Sequence, residues 1–365
     1  MLLARRNLTR DHPRFALSVL GVALSVMLIL LLGGYLAGIY RQSAAYLDHA
    51  LGSVVVAETG IRDFLGTSSV LPAGAADAVR GMPGVARVVP VTSQFVIFES
   101  HGRKEGFFLI GYDRAAGGGP WDLASGREPA VDGEIVIDRV LASQHGIAIR
   151  DRLRLLDRDL TVVGLSNGTT FWSGSLAFAP VSTLESLLRA PGIRSFLLVT
   201  PAAGTGSEAL RDGIRLTGAE ALLKEEMIRN DRKLLARVYD APLGLMVGIA
   251  FFVGVLVVGL VIYTATIERR REYGALKAIG ARNRVLYRIV TAQAFIAAVS
   301  GAFLGVALAF VVGAALMAWR PQFVIAIDPS AVGVVVVGSL LMALLAAFIP
   351  TRAIARLAPA EVLRG

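Results

Sequence analysis

The residue types that most often carry catalysis are sparse and scattered in this chain. The four histidines, His12, His49, His101 and His145, do not have the spacing of a metal site, and the sequence contains no cysteine. The stretch AGTGSE at 203–208 contains glycines but no lysine to reach a phosphate, so it does not match a phosphate-binding loop. We therefore predict a non-enzymatic chain with no catalytic residue, no metal site and no cofactor of its own.

One short basic segment has a spacing suited to binding a partner. Residues 267–286, IERRREYGALKAIGARNRVL, contain five Arg, one Lys and two Glu between two apolar runs. If the segment is helical, Tyr273, Leu276, Ile279 and Gly280 fall on one face. Such an apolar ridge suits a groove on a soluble partner, whereas a plain basic loop would only set membrane topology. Composition alone leaves both interpretations open.

Four long apolar runs must hold this segment in place. Apolar residues make up 55% of the 365 residues, and the mean hydropathy of +0.62 is too high for an ordinary soluble domain. Apolar runs of roughly 18 residues or more predict membrane-spanning helices. We predict spans at 15–40, 243–266, 289–319 and 331–349. The first run is too long for the apolar part of a signal peptide, so we expect a retained anchor.

The positive charge lies on one side of these spans. Residues before the first span, between the second and third, and after the fourth carry 14 Lys and Arg against 4 Asp and Glu. The region between the first two spans carries 22 against 23. This asymmetry predicts that both termini and the 267–288 loop are cytoplasmic, and the near-neutral large domain argues against nucleic-acid binding.

Residues 41–242 are then an extracytoplasmic domain inserted between the first two spans. Its β-rich runs, such as VARVVPVTSQFVIFES at 85–100, alternate with helical stretches such as VSTLESLLRA at 181–190. This mixture predicts an α+β domain with two small lobes. The charged segment 206–240 has helical spacing, so we predict that it continues as a stalk helix into the second span.

The spans contain few features of a transport path. They lack ionisable residues near their centres, which argues against a carrier coupled to protons or ions. Small residues four apart allow close helix contacts, although glycine is also generally frequent in membrane helices. These pairs are Gly34 with Gly38, Gly244 with Gly248, and Gly301 with Gly305. Because four spans are few for transport, we predict a homodimer.

Three stretches together resemble the MacB/FtsX-like ABC transporter permeases. ERRREYGALKAIGA at 268–281 is similar to the family's E-R-x-x-E-x-[GA]-x-L-x-A-x-G-A segment, and PTRAIARLAPAEVLRG at 350–365 resembles its ending. The start, LLARRNLTRDHPRFALSVLGVALSV, is similar to the family's N-terminal helix and first span. One span, a large outer domain and three further spans is also the family's layout. Unlike full MacB, this sequence shows no fused ATPase domain.

The resemblance implies a fold class and a division of the chain. The class is a membrane α-helical protein with four transmembrane helices plus an α+β extracytoplasmic domain inserted between helices 1 and 2. The remaining predicted parts are a cytoplasmic amphipathic segment at 1–14, a cytoplasmic coupling helix at 267–288, a short extracytoplasmic loop at 320–330 and a cytoplasmic tail at 350–365.

In this family the matched segment is the coupling helix that contacts the ATPase subunit. We carry this role over to the matching positions, which we call the coupling segment: Glu268, Arg269, Glu272, Tyr273, Gly274, Leu276, Lys277, Ile279 and Gly280. The resemblance further implies two copies of a separate ABC ATPase subunit, which would bind the ATP and Mg, and a location in the bacterial cytoplasmic (inner) membrane. The resemblance leaves open a further partner, either a periplasmic adaptor or an extracytoplasmic effector.

Two functions fit the resemblance. The first is export of a hydrophobic or amphipathic molecule, such as a lipid, haem, a peptide or a drug, by mechanotransmission from ATPase to outer domain. The second is an FtsX-like transmitter that activates an extracytoplasmic effector such as a cell-wall hydrolase. For export we predict an apolar substrate groove between two copies, open to membrane lipid. We call its members the groove residues: Leu32, Tyr35, Leu36, Ile39, Met246, Ile249, Phe251 and Phe252.

Overall fold

The computed structural model describes residues 12–355, apart from 67, 101, 102, 172, 173, 269 and 280. These residues form two compact units. The helical unit comprises the described parts of Met1–Gly38, Tyr239–Arg320 and Ile325–Gly365, and the inserted domain comprises Ile39–Val238 with Pro321–Val324. The predicted segments 1–14 and 350–365 therefore lie partly outside the described residues.

The elements follow one another in this order: α1 (His12–His49), β1 (Val54–Glu58), α2 (Ala75–Arg80), β2 (Val85–Ser100), β3 (Arg103–Tyr112), β4 (Leu123–Gly126), β5 (Glu134–Asp138), α3 (Arg139–His145), β6 (Arg152–Leu155), β7 (Arg158–Ser166), β8 (Thr170–Phe171), β9 (Gly174–Pro180), α4 (Val181–Leu188), β10 (Phe196–Pro201), α5 (Ser207–Gly213), β11 (Ala219–Leu223), α6 (Lys224–Glu268), α7 (Arg270–Ala278), α8 (Asn283–Trp319) and α9 (Pro329–Ala355).

Four helices are long and apolar enough to cross a membrane, namely α1, α6, α8 and α9. Helix α6 has 45 residues, or about 68 Å at 1.5 Å per residue, whereas the hydrocarbon core is only about 30 Å thick. Its first part, 224–240, holds nine charged residues, and 241–267 holds none. The charged part of α6 therefore lies outside the hydrocarbon. The predicted fold class, four spans with an α+β domain after the first, is confirmed.

Glycines let the spans pack closely within the helical unit. A Cβ atom at Gly301 of α8 would lie 2.6 Å from Cβ of Val22, and one at Gly305 would lie 2.6 Å from the carbonyl oxygen of Ala23, both on α1. Only hydrogen fits at these two positions, so this predicted pair is a helix contact inside one chain. In contrast, outside the local helix backbone, no heavy atom of a described residue lies within 4 Å of a Cβ built at Gly244 or Gly248.

The inserted domain is built on one eleven-stranded sheet. Its main strand order is β11-β1-β10-β2-β3-β9-β5-β7-β4, with β6 paired to β2 and β7, and β8 paired to β9. Most neighbouring strands are antiparallel, while β3 with β9 and β5 with β7 are parallel. The domain is a single compact unit and not two separate lobes.

Alternation along the strands divides the buried side chains between the two faces of the sheet. In β10, Phe196 and Leu198 join one large core, and Leu197 and Val199 join a core on the opposite face. That opposite face has two separate clusters, one covered by α2 and α5 and the other by α3 and α4. The large core is completed by the end of α1 and the start of α6.

Two predicted helical stretches are wrong in part. Segment 206–240 is not one helix, because residues 219–223 form β11 and pair with β1 along five residues. The predicted coupling helix 267–288 is interrupted between α7 and α8, because residues 279, 281 and 282 are not helical. Arg282 takes an extended backbone conformation at the N-cap of α8, which is incompatible with a continuous helix across this point.

Candidate functional site

The domain-side ends of α1 and α6 are joined by paired strands. Strand β1 follows α1 closely and β11 leads directly into α6, and the two strands pair antiparallel with Val54 opposite Leu223. The backbone N–H of Lys224 donates to the carbonyl of Ser53 at 2.8 Å, and its ammonium group donates to the carbonyl of Ala50 at 3.2 Å. The two helix ends therefore cannot separate without breaking this pairing.

Side chains from both helix ends also belong to the core of the inserted domain. Tyr46 and Leu47 of α1 and Met227 of α6 are buried among the strands. The ring of Tyr46 stacks on Phe64 with 5.0 Å between centroids, and its hydroxyl donates to the carbonyl of Gly118 at 2.9 Å. A movement of either helix end would therefore disturb the packing of the domain.

A buried carboxylate fixes a loop against α6. Oδ1 of Asp231 accepts hydrogen bonds from the backbone N–H groups of Phe64 at 2.9 Å and Leu65 at 3.2 Å. Its Oδ2 has no hydrogen-bond partner among the described residues. Burial raises the pKa of Asp231 to about 7, and the nearby Asp63 also raises it, against the two backbone hydrogen bonds. Below we call Tyr46, Leu47, Lys224, Met227 and Asp231 the stalk junction.

The other end of α6 leads into the coupling segment. Glu268 ends α6, and α7 contains Glu272, Tyr273, Gly274, Leu276 and Lys277. Of these positions Glu268 and Glu272 are exposed, Lys277 is half-buried and Gly274 is buried; the side chains of Tyr273 and Leu276 lie outside the described set. Arg269 and Gly280 also lie outside the described residues.

Ile279 is the most exposed large apolar side chain of the described coupling segment. Its backbone N–H still donates to the carbonyl of Ala275 at 3.1 Å, so it caps the last turn of α7. With 82% of its surface exposed, the side chain contributes almost nothing to the core of this chain. The proposed apolar ridge at Tyr273, Leu276 and Ile279 remains a prediction, since only Ile279 has a described side chain.

The groove residues differ in exposure. Met246, Ile249 and Phe252 are exposed at helical spacing on α6, and Phe252 has 60% of its surface accessible. Leu32, Tyr35, Leu36 and Phe251 are half-buried. Ile39 is fully buried. Its inclusion in a substrate groove is therefore wrong for this conformation, because its side chain fills the interior instead of reaching the surface.

Sequence reasoning missed the residues of the stalk junction. Asp231 and Lys224 are two of nine charged residues in the first part of α6, and nothing in their spacing distinguishes them. Their partners, Phe64 and Ser53, lie near the start of the inserted domain in the sequence, whereas Asp231 and Lys224 lie near its end. Only the folded chain brings these groups together.

We find no group of three or more metal-ligating side chains within the described parts of residues 12–355. The candidate site therefore consists of exposed surfaces and anchored helix ends, which can act through packing and charge.

Family models match both units. The MacB-like periplasmic core domain matches residues 15–216, which is more than half of the chain, and the FtsX-like permease C-terminal domain matches residues 244–359.

Relatives of similar length match most of the chain. An uncharacterized ABC transporter permease of Mycobacterium tuberculosis is 24% identical over 316 residues, which cover 85% of this chain and 85% of the relative. A protein of Staphylococcus epidermidis, named as the hemin transport system permease protein HrtB, is 22% identical over 317 residues, covering 86% of this chain and 84% of the relative.

Solved structures of isolated outer domains also match. The periplasmic region of MacB from Actinobacillus actinomycetemcomitans aligns with 49% of this chain and 92% of its own length, at 12% identity and a TM-score of 0.38. The extracellular domain of the ABC-type transporter YknZ, from Gram-positive bacteria, aligns with 47% of this chain and 98% of its own length, at 11% identity and a TM-score of 0.36.

Proposed function

Because this chain belongs to the MacB/FtsX-like family of ABC transporter permeases, we propose that it is the permease subunit of an exporter driven by a separate ATPase subunit. The resemblance seen on residues 268–281 and 350–365 is confirmed by the two family models. The chain is a multi-pass membrane protein. A permease of an ABC transporter implies an ATPase partner, and in our proposal two copies of that partner bind the coupling segments of two permease chains.

The continuity of α6 carries this proposal. The helix extends from Lys224, which is hydrogen-bonded to Ser53 and Ala50, to Glu268 at the coupling segment, and it remains helical through Pro242, which lacks one backbone N–H donor. A helix of this kind transmits displacement along its axis, because its backbone hydrogen bonds resist compression. ATP-driven movement of the coupling segment would therefore reach the stalk junction and change the inserted domain. This is mechanotransmission without a polar pore.

The exposed apolar residues of α6 support an amphiphilic substrate. Met246, Ile249 and Phe252 present thioether, aliphatic and aromatic groups, which suit a hydrophobic or amphipathic molecule better than an ion or a sugar. Haem is one such molecule, and hemin transport is the named role of the HrtB relative. The open space at Gly244 and Gly248 on the same helix is where a second copy of α6 would approach in our proposed homodimer.

The positive-inside pattern supports the proposed orientation. Both termini and the coupling segment carry the excess of Lys and Arg, so we place them in the cytoplasm and the inserted domain on the outer side of the bacterial inner membrane. A periplasmic adaptor would then meet the inserted domain, while the ATPase with its ATP and Mg would bind on the opposite side.

A transmitter function is the second candidate, and one observation favours it. Phe95 and Ile97 of β2 are exposed on the inserted domain. The ring of Phe95 also contacts that of Phe108 edge-on, with 5.2 Å between the ring centroids. An exposed apolar patch on a soluble domain is typical of a protein contact. An extracytoplasmic effector, such as a cell-wall hydrolase, would dock there in the FtsX-like alternative.

Reconstitution with the cognate ATPase tests the proposal. In nanodiscs the chain alone should hydrolyse no ATP, the complex should show basal hydrolysis, and an amphiphile from a panel that includes hemin should stimulate it. The double variant Tyr35→Ala with Phe252→Ala should lose most of the stimulation and keep the basal rate. Phe303→Ala, an exposed phenylalanine of α8 outside the groove residues, is the matched control.

Each result of that experiment separates the candidates. Hydrolysis by the isolated chain would refute its role as a non-catalytic subunit. A complex that no amphiphile stimulates, but that loses function in cells when Phe95 and Ile97 are changed to Ser, would favour the transmitter over the exporter.

A further inference from the structure

A trough lies on the surface of the helical unit between α8 and α9. Its volume is about 680 Å³, and it is lined mainly by apolar side chains of both helices. Ala292 of α8 and Ala343 and Ala347 of α9 contribute small side chains to this lining, while Phe295 and Leu344, both exposed, contribute large ones. Small side chains on both helices beside larger exposed ones are consistent with a surface groove and not a gap in the core.

One end of the trough is basic. Among the described residues that line the trough, Arg288 alone is charged, and it is exposed at the start of α8, just before the apolar run 289–319. Arg284 lies one turn earlier on the same helix. No Asp or Glu occurs in the sequence between Tyr273 and Ile327, so nearby acidic residues of α8 cannot neutralise this charge.

The adjoining helix carries a further positive charge, Arg352, outside the lining. Helices α8 and α9 are consecutive and antiparallel, so the C-terminal part of α9 lies beside the N-terminal part of α8. There the guanidinium of Arg352 lies over the ring of Phe348 at 4.3 Å from its centroid. Thr291, between the basic end and the apolar trough, uses its hydroxyl to donate to the carbonyl of Tyr287 at 2.8 Å and so needs no other acceptor.

We propose that this trough binds one anionic phospholipid, with an acyl chain along Ala292, Phe295 and Leu344 and its phosphate at Arg288. A groove on a membrane-spanning helix is bathed in acyl chains, so its apolar part needs no other occupant. The charge decides the headgroup, because basic pockets between membrane helices select anionic lipids over zwitterionic ones. The site concerns this chain's lipid surroundings and depends on neither the export substrate nor the ATPase.

Lipid binding to the purified full-length chain tests the proposal. The chain is placed in nanodiscs of phosphatidylglycerol and phosphatidylcholine with identical acyl chains, and the lipids that remain bound are counted by native mass spectrometry. We expect a several-fold preference for phosphatidylglycerol in the wild type and in Arg288→Lys, and a ratio near one in Arg288→Gln. Arg284→Gln, which removes an equal charge outside the lining, should keep the preference.

Filling the trough gives an independent measurement. Ala292→Leu should lower the amount of both bound lipids several-fold, while Ala314→Leu, at an exposed position of α8 away from the trough, should not. A photoactivatable phosphatidylglycerol should label wild-type peptides 285–296 and 340–347, which tests the site even if a variant fails to fold.

Three outcomes would overturn the lipid site. These are equal retention of both lipids by the wild type, equal losses in Arg284→Gln and Arg288→Gln, and labelling of the trough that appears only after residues 1–11 are deleted. The last result would mean that the chain's own N-terminal segment covers the trough. Because the readout is lipid occupancy, none of these outcomes bears on ATP hydrolysis or export.

Discussion

The two ends of α6 are built in opposite ways. At the domain end, Lys224, Met227 and Asp231 are tied by backbone hydrogen bonds and burial to strands and loops of the same chain. At the other end, α6 leads into the coupling segment, where Ile279, just after α7, is almost wholly exposed. One end is completed within this chain, whereas the other presents a side chain that nothing in the described part of the chain covers.

This difference indicates that one end of α6 contributes to folding stability and that the other is available for binding a partner. Burial at the stalk junction stabilises the fold, so changes there should reduce the free energy of unfolding. An exposed apolar side chain contributes little to folding, and it gains free energy only when a partner covers it. Mutations at the two ends should therefore separate stability from assembly.

The largest expected effect is at the stalk junction. Leu47 of α1 is fully buried in the domain core, so Leu47→Ala should lower the free energy of unfolding by about 2 to 5 kcal/mol. Leu51, two residues after α1 and 46% exposed, is the control, and Leu51→Ala should change it by only about 0.5 kcal/mol. Thermal unfolding of the full chain in nanodiscs measures both. Equal losses would remove the contrast on which the comparison rests.

The pH dependence of the stalk junction should be the next largest effect. The pKa of Asp231 is raised in the folded state, from 3.8 to about 7, so folding favours the protonated form. Stability should be greatest below the unfolded pKa and fall as the pH rises through about 7, by up to about 4 kcal/mol in total. Asp231→Asn cannot ionise and should flatten this profile.

Hydrogen exchange gives a local readout of the same group. The amides of Phe64 and Leu65, which donate to Asp231, should exchange faster at pH 8 than at pH 5.5 after correction for the intrinsic rate, and this difference should vanish in Asp231→Asn. Asp77→Asn, which changes an exposed carboxylate, should leave the profile as in the wild type. A slope that survives in Asp231→Asn would assign the titration to another group.

The smallest effect on stability, but a large one on assembly, is expected at the coupling segment. Ile279→Asp should change the free energy of unfolding by about 0.5 kcal/mol or less. It should weaken ATPase binding by about 2 kcal/mol, or roughly 30-fold, if Ile279 enters an apolar contact. Titration of the ATPase onto nanodiscs measures the affinity, with Val131→Asp, exposed on the inserted domain, as the control. Unchanged affinity for the ATPase would mean that the coupling segment is a basic loop that only sets membrane topology.

Much of the fold could be predicted because it follows from local patterns. The alternating run at 85–100 became β2 with those bounds, and the apolar runs became the four long helices. Residues 219–223, AEALL, favour a helix by propensity but form β11, because β1 offers an unpaired edge and tertiary pairing outweighs weak local preference. The prediction of a single coupling helix is wrong because periodicity does not reveal the interruption between α7 and α8.

The sequence by itself determined the four spans, the charge asymmetry and the family of this protein, since hydropathy, net charge and motif spacing are sums over neighbouring residues. Only the tertiary structure decided which charged residue of α6 is buried, which glycine pair touches another helix and that Ile39 faces inward. It also placed Arg288 at the end of an apolar trough. These are contacts between residues far apart in the chain, and their geometry depends on how whole elements pack.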